Sequence, residues 1–245
     1  MSDSPISQSP IAHEYEEPNH EYLATYFERE EDGPMWALNL MKYREKAIYG
    51  GVESDKSGLE ADNLYNPTEQ IEAVGGRMVL VAPVEQQLRG DGITWDRIAV
   101  VLYPTRMSFI EMGMRKDFRK QHEHKNAGME TTIVVASMPE EGDPHPEDTD
   151  STAGTGDRLL LQVVTDAAAP DLADSIASSR IGRFGVEGNI FGDERQWAEA
   201  RWDRISAETA DALMSEAPVE DADSYVMVLV PQVDTLAESV VTPLP

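Results

Sequence analysis

Apolar residues along the first part of the chain follow two periodicities, which predict strands and helices in a definite order. Four segments run apolar or alternate with a period of two, as strands do. Two segments between them carry apolar residues at helical spacing. The strands are predicted at PMWALNLMKYR, RMVLVAPVEQQLRG, WDRIAVVLYP and METTIVVAS, and the helices at GLEADNLYNPTEQIEAVGG and TRMSFIEMGMRKDF. The predicted order is therefore β-α-β-β-α-β.

The second part of the chain repeats this order in a shorter form. Strands are predicted at RLLLQVVT, RIGRFGVEGNIFG, RQWAEARWDRIS and SYVMVLVP, and helices at APDLADSIASS and AETADALMSEA. The tetrapeptide Trp-Asp-Arg-Ile occurs in both parts, beginning at Trp95 and at Trp202. We interpret both copies as marking the third strand of one split β-α-β fold, and both tryptophans as packing residues.

Composition divides the chain into four segments. Residues 139–157 read PEEGDPHPEDTDSTAGTGD, without lysine, arginine or a large apolar residue, and this predicts an acidic linker. Residues 1–21 are similarly polar and are predicted to be a flexible or partly ordered tail. What remains is a first unit at residues 22–138 and a second, degenerate unit at residues 158–245.

The charge and residue content exclude several classes of function. The chain has no cysteine, which removes disulfides, thiolate metal sites and cysteine nucleophiles. A formal charge of −26 repels phosphate backbones and anionic headgroups, so neither nucleic-acid nor membrane partners are expected. Signal-peptide and membrane-span patterns are missing, which predicts a cytoplasmic protein. This acidic surface would suit a saline cytoplasm or serve ordinary solubility. Nucleotide-binding loops, the Gly-x-Ser-x-Gly elbow and HExxH are also missing, and we expect no cofactor.

Several segments of the first unit together resemble a known family. The segments LNLMKYR, AVGGRMVLVAPVE, WDRIAVVLYPTRMSFIEM and HKNAGMETTIVV, across residues 35–137, are similar to a domain-of-unknown-function family of the dimeric α/β-barrel, ferredoxin-like superfamily. The chain departs from that family at Lys125, where relatives have arginine, and in the insertion EKAIYGGVESDKSGLEADN.

The resemblance implies a fold and a place for a ligand. It implies an α+β fold of two ferredoxin-like units packed sheet to sheet as an internal dimeric α/β-barrel. It also implies a small-molecule cavity between a sheet and its helices, and association of two such chains as a homodimer.

Three candidate ligand-binding residues lie on or just after the first predicted strand. They are Asn39, Lys42 and Tyr43. Asn39 shares a strand face with Met41, because side chains two residues apart point the same way. An unpaired buried amide costs about 1–3 kcal/mol, so Asn39 either pairs with neighbouring backbone or offers a donor to a ligand.

A second group of candidates lies where the third strand meets the second helix. Tyr103 could donate a hydrogen bond to an oxyanion, and Arg106 could hold a carboxylate or enolate with two parallel hydrogen bonds. The alternative for Arg106 is an ion pair with a nearby acid at the helix start. Phe109 is expected to line the cavity from the helix.

Two histidines end the second predicted helix, in the sequence HEH. His122 and His124 are two residues apart, and on a helix such side chains point in nearly opposite directions, so no shared metal site is expected. The resemblance favours His124 as a proton donor or acceptor near neutral pH, with His122 as a ligand contact. The alternative for His124 is stabilisation of the helix C-terminus.

These residues lead to one functional prediction with open alternatives. We expect an enzyme acting on a small apolar or carboxylate-bearing organic molecule by cofactor-independent proton transfer, as a lyase, isomerase or cyclase, with Tyr103, Arg106 and His124 as catalytic residues. The alternatives are a cofactor-free or haem-dependent monooxygenase and a non-catalytic small-ligand binding protein. The second unit lacks counterparts of these residues, which predicts one site per chain.

Overall fold

A computed structural model of the chain describes residues 18–30, 32–140, 156–192 and 194–242. Most of the predicted tail and linker therefore lies outside the described residues. The strands are β1 Met35–Tyr43, β2 Ile48–Tyr49, β3 Val52–Glu53, β4 Arg77–Gly90, β5 Arg97–Tyr103, β6 Met129–Pro139, β7 Arg158–Val164, β8 Ser179–Phe191, β9 Glu199–Ile205, β10 Val219–Glu220, β11 Ser224–Leu229 and β12 Val233–Asp234. The helices are α1 His20–Thr25, α2 Gly58–Asp62, α3 Thr68–Glu72, α4 Arg106–Met114, α5 Lys116–Gly128, α6 Ala207–Met214 and α7 Leu236–Val241.

Eight long strands form one closed antiparallel β-barrel. Their order is β4-β11-β7-β9-β8-β6-β1-β5, and β5 pairs with β4 to close the ring. Both parts of the chain contribute four strands to this single sheet. The prediction of two ferredoxin-like units packed sheet to sheet as an internal dimeric α/β-barrel is therefore wrong.

The length of two strands explains this correction. The first part of β4 pairs with β5, and its last part pairs with β11 from the other half of the chain. Strand β8 pairs with β9 on one side and with β6 on the other. These pairings satisfy edge N–H and C=O groups that two separate sheets would leave open. Sequence periodicity indicates strands, but it does not say which edges will meet.

One predicted helix of the second part is also largely missing. Over APDLADSIASS the described chain has only a 3-10 turn, Leu172–Ser175. The Asp171 side chain accepts a hydrogen bond from the backbone N–H of Ala173 at 3.1 Å and lies 2.6 Å from an Arg180 guanidinium nitrogen. These polar contacts hold the segment as a short turn. The second half therefore lacks a helix at this position.

Alternation along β1 separates two apolar cores. Trp36 and Leu38 point into the barrel, where they pack with side chains from strands of both halves. Ala37 and Asn39 point outwards, towards the layer of helices α3, α4 and α5. Strand β1 thus supplies one wall of the space beneath these helices.

The repeated tetrapeptide occupies two different structural places. Trp95 lies two residues before β5, whereas Trp202 lies in the middle of β9. Trp197 is the residue that lies two positions before β9, so it matches Trp95 in position. Both copies thus fall at the third long strand of their half, as interpreted, but at different places along it and in a barrel instead of two split β-α-β units. Both Trp95 and Trp202 are nevertheless buried inside the barrel, as expected of packing residues.

Membrane-spanning helices were also sought in the described part of the chain. None of its helices is both long enough and apolar enough to cross a bilayer.

Candidate active site

A cavity of about 590 Å³ lies between the outer face of β1 and β5 and the helices that cover it. Most of its wall is apolar, and the larger apolar side chains are Met41, Ile71, Met78, Val101, Phe109, Met112, Phe118, Val134 and Phe191. Polar side chains line the rest of it: Asn39, Asp62, Asn63, Tyr65, Asn66, Thr68, Arg97, Tyr103, His122, Lys125 and Gln232. A mainly apolar cavity with polar groups at some points of its wall is typical of sites that bind small organic molecules.

Helices α2 and α5 approach closely and thereby place two of these polar groups. A Cβ at Gly58 would lie 2.3 Å from the carbonyl oxygen of Gly128, so neither glycine leaves room for a side chain there. Ser57 caps α2 through a capping box with Glu60. The short helix α2 is thus fixed at both its start and its packing face. It ends at Asp62, on the cavity.

Lys125 reaches the cavity from the last turns of α5. The residue is 9% exposed, its Nζ lies 3.4 Å from Asn39 Oδ1, and it lies 5.7 Å from the centre of the Tyr65 ring. Burial lowers the pKa of the Lys125 amine, and the negative charge of Asp62 opposes this shift. A larger share of this amine is therefore neutral than in an exposed lysine. A neutral amine can act as a base or as a nucleophile.

Asp62 forms a buried polar cluster beside the lysine. Its Oδ2 accepts hydrogen bonds from the Tyr43 hydroxyl at 2.6 Å and from Arg97 Nη1 at 2.9 Å. Its Oδ1 is buried and accepts no hydrogen bond from the residues that the structure describes. Burial, followed by the charge of Asp62, raises the pKa of Tyr43, so this hydroxyl stays a donor. One carboxylate oxygen of this cavity-lining residue is thus buried without a hydrogen-bond partner in the described chain.

Four of the candidate residues from the sequence line the cavity: Asn39, Tyr103, Phe109 and His122. Asn39 makes the backbone contact considered for it, because its Nδ2 donates to the Ala37 carbonyl at 3.0 Å. Its Oδ1 accepts from the amine of Lys125 at 3.4 Å. The Tyr103 hydroxyl donates to the sulfur of Met112 at 3.4 Å, and burial raises its pKa.

His122 stands in an aromatic part of the wall. Its ring centre lies 5.3 Å from that of Phe118 and 5.9 Å from that of Tyr65. The residue is 5% exposed. It is therefore one ring of an aromatic cluster on the cavity wall.

Lys42 and Tyr43 lie in a groove that continues from the cavity. Arg97 borders both the cavity and this groove. Lys42 Nζ lies 3.2 Å from Thr94 Oγ1 and 3.7 Å from Asp96 Oδ2. The groove is a polar approach to the apolar cavity, and Arg97 stands between the two.

Arg106 lies away from the cavity lining, in an ion-pair cluster. Its guanidinium contacts Asp32 at 3.1 Å, and its Nη2 lies 2.5 Å from Glu187 Oε2. Burial alone would raise the pKa of Glu187, but hydrogen bonds from Arg106 and Tyr22 hold it below its usual value. The structure thus contains the alternative considered for Arg106, an ion pair at the helix start. The pairing joins α4 to β8.

His124 also points away from the cavity lining. Its Nδ1 lies 2.9 Å from the Tyr49 hydroxyl, and the two rings meet edge to face at 5.8 Å. Tyr49 belongs to the β2-β3 hairpin, which the insertion after the first strand provides. His124 therefore holds this hairpin against α5.

The polar residues that sequence reasoning missed are Lys125, Asp62 and Arg97. One signal was available, because Phe118, His122 and Lys125 recur at helical spacing and share one face of α5. No comparable pattern marks Asp62 or Arg97, since strand pairing and helix packing bring them together from distant parts of the chain.

Part of the outer face of the second half, around β8 and β9, carries paired charges. Arg201 is 1% exposed, pairs with Glu199, and donates to the carbonyls of Ala169 and Ala167 at 2.9 and 2.7 Å. Beside it, Asp171 pairs with two arginines. Where the first half has an apolar cavity, these strands of the second half carry an ion-pair network.

The described residues contain no group of three or more His, Asp or Glu side chains that could hold a metal ion.

Comparisons with known proteins give structural likeness without a described activity. No family model matches the chain, and no curated protein matches it. Two solved structures resemble it over about half of its length. One is a protein of unknown function from Rhodopseudomonas palustris, RPA0582, with 27% identity over 54% of this chain and 99% of that chain, and a TM-score of 0.46. The other is methylated RPA0582, with 27% identity over 54% of this chain and 100% of that chain, and a TM-score of 0.47.

Proposed function

We propose that the chain is an enzyme that moves a proton on a small organic substrate inside the 590 Å³ cavity, with Lys125 as the base. The observation that carries this proposal is the amine of Lys125, which is buried in a mainly apolar wall and has a lowered pKa. Proton transfer of this kind underlies lyase, isomerase and cyclase reactions. Bases of this type work best when their pKa lies near the operating pH.

Two groups near Lys125, Asp62 and Tyr103, would assist this proton transfer. When the neutral amine of Lys125 takes a proton from carbon, the resulting ammonium is favoured by the nearby charge of Asp62. The Tyr103 hydroxyl now donates to a thioether sulfur, which is a weak acceptor, so an enolate oxygen would be a stronger partner for it. His124 has no part in this scheme, because its ring contacts Tyr49 instead of lining the cavity.

The substrate class follows from the wall of the cavity. Methionine, phenylalanine and valine side chains favour an apolar body, and Lys125 and Asn39 favour one oxygen-bearing group on it. As part of the same proposal, the protein acts in the cytoplasm and has no nucleic-acid or membrane partners. The formal charge of −26 supports the second point, because it repels phosphate backbones and anionic headgroups.

Hydrogen–deuterium exchange at carbon tests this function with a panel of simple compounds in place of the natural substrate. Small apolar ketones, 1,3-diketones and lactones are incubated with the protein in deuterium oxide, and deuterium at carbon is measured by mass spectrometry. We expect accelerated exchange that falls by about 10²–10⁴-fold in Lys125→Met. Lys120→Met is the matched control, because Lys120 is an exposed lysine of the same helix. Equal exchange with and without protein, or full exchange in Lys125→Met, would refute the proposal.

A further inference from the structure

The amine of Lys125 is held in an environment that suits a covalent role as well as proton transfer. Asn39 Oδ1 and the face of the Tyr65 ring position it from two sides, at 3.4 Å from the oxygen and 5.7 Å from the ring centre. Apolar side chains make up most of the remaining wall. A positioned amine beside an apolar space, with a larger neutral share than an exposed lysine has, meets the needs of a carbonyl-attacking nucleophile.

The cavity would also slow the hydrolysis of an imine formed on this amine. Imines in water are lost by hydrolysis, so an imine persists best where bulk water is excluded. Lys125 is 9% exposed, and the neighbouring His122 is 5% exposed. An imine formed here would therefore be shielded from water.

We infer that Lys125 forms an imine with the carbonyl carbon of an apolar ketone or aldehyde bound in this cavity. This inference rests on the proposed function in placing the ligand beside the same amine, and it adds the substrate class and a covalent intermediate. While Nζ is bonded to the carbonyl carbon it cannot also take a proton from that substrate, so the imine is a second reaction of Lys125 and not a stage of its action as a base. The Nζ lone pair attacks the carbonyl carbon to form a C–N bond, and the carbonyl oxygen takes up a proton. The resulting hydroxyl leaves as water while the C=N bond forms, so amine and carbonyl give imine and water without oxidation or reduction.

Asp62 is suited to handle the protons of this step. Asp62 lines the same cavity, and its Oδ1 is buried and accepts no hydrogen bond within the described part of the chain. Its other oxygen is held by Tyr43 and Arg97, which fixes the carboxylate in place. Asp62 is therefore the group that receives a proton from nitrogen and returns it to the departing hydroxyl.

A 1,3-diketone is a suitable probe, because its imine rearranges to a conjugated enaminone that survives mass analysis. The wild-type protein is incubated with 1-phenylbutane-1,3-dione at neutral pH, and adducts are located by peptide mass spectrometry. We expect one adduct, with the mass of the probe less water, on Lys125. Burial lowers the pKa of Lys125, so its amine has a larger neutral fraction than that of an exposed lysine, and Lys125 should be labelled faster than the exposed Lys120.

Variants distinguish an imine from simple ion pairing. Lys125→Met and Lys125→Arg should both abolish the adduct, while Lys120→Met keeps it. If Lys125→Arg instead preserves affinity for 4-phenylbutanoate and the wild type forms no adduct, the amine is a carboxylate-binding cation and the inference is overturned. Labelling of the wild type alone compares six lysines in one folded chain, so this test does not depend on the folding of any variant.

The outcomes separate this inference from the proposed function. Lys125-dependent deuterium exchange into the diketone without an adduct would overturn the imine and leave proton transfer standing. An adduct on Lys125 without exchange would support the imine and refute the base role. Adducts spread equally over the lysines would overturn the inference, and the absence of both exchange and adduct would refute both proposals.

Discussion

Replacing Lys125 by methionine should stabilise the folded protein. The lysine has three N–H donors when charged, and in the described chain it makes one long hydrogen bond, to Asn39 at 3.4 Å. Leaving a buried donor unsatisfied costs about 1–3 kcal/mol, and the bond that would be lost contributes about 0.5–1.5 kcal/mol. Methionine keeps an apolar chain in the same space. We therefore expect a net gain of about 1–2 kcal/mol at neutral pH.

The gain should depend on pH in a definite direction. The pKa of Lys125 is lower in the folded state than the ordinary value of about 10.4 for unfolded chains. Between these two pKa values the unfolded state binds a proton that the folded state does not, so the stability of the wild type rises with pH. The advantage of Lys125→Met is then largest below the folded pKa. It should shrink as the pH rises towards about 10.4.

Thermal unfolding followed by circular dichroism at several pH values between neutral and alkaline measures both effects. For a chain of this size a gain of 1–2 kcal/mol raises Tm by about 2–8 °C. Lys120→Met, at an exposed position of the same helix, should change stability by less than about 0.5 kcal/mol, with no comparable pH trend. A lower Tm for Lys125→Met at neutral pH, or a gain that is constant with pH, would show that the amine is not buried as described.

Three further substitutions separate the scaffold from the cavity. Arg106→Gln should lower the unfolding free energy by up to about 3 kcal/mol, because the partly buried carboxylate of Glu187 loses one of its two guanidinium partners and keeps only that of Arg29. Diketone labelling of Lys125 should be retained, and loss of labelling at unchanged stability would contradict this. Trp202→Ala should cost about 3–5 kcal/mol in a denaturant titration, since the ring is buried inside the barrel, and a loss below 1 kcal/mol would be inconsistent with that burial. Gly58→Ala should lower both Tm and the diketone labelling of Lys125, because the new Cβ would lie 2.3 Å from the Gly128 carbonyl oxygen. Unchanged labelling would show that this close contact of α2 and α5 does not position Lys125.

The local pattern of the sequence was informative about single elements. The segment RMVLVAPVEQQLRG is β4 itself, and the predicted helix across Pro67 is present as two short helices, α2 and α3. The second predicted helix is likewise divided, because Arg115 has an extended conformation between α4 and α5. Periodicity is a local property of the chain, and it therefore identifies strands and helices better than it identifies breaks within them.

The candidate residues also differ in how far the sequence predicted their surroundings. Alternation placed Asn39 and Met41 on one face of β1, and both line the cavity. Arg106 and His124 were chosen for their chemistry, yet their partners Glu187 and Tyr49 lie 81 and 75 residues away in the chain. Residue type and spacing could not reveal these partners, because only the packing of α4 on β8 and of the hairpin on α5 brings them together.

The sequence by itself determined the strand segments, the inward and outward faces of β1, the absence of cysteine chemistry and the acidic surface. The closed barrel was decided by tertiary structure, since the free edges of β4 and β8 find partners in the other half through backbone hydrogen bonds that carry no side-chain signature. Tertiary structure also decided the lowered pKa of Lys125. Burial causes this shift, and burial depends on how strands and helices from separate parts of the chain pack around one amine.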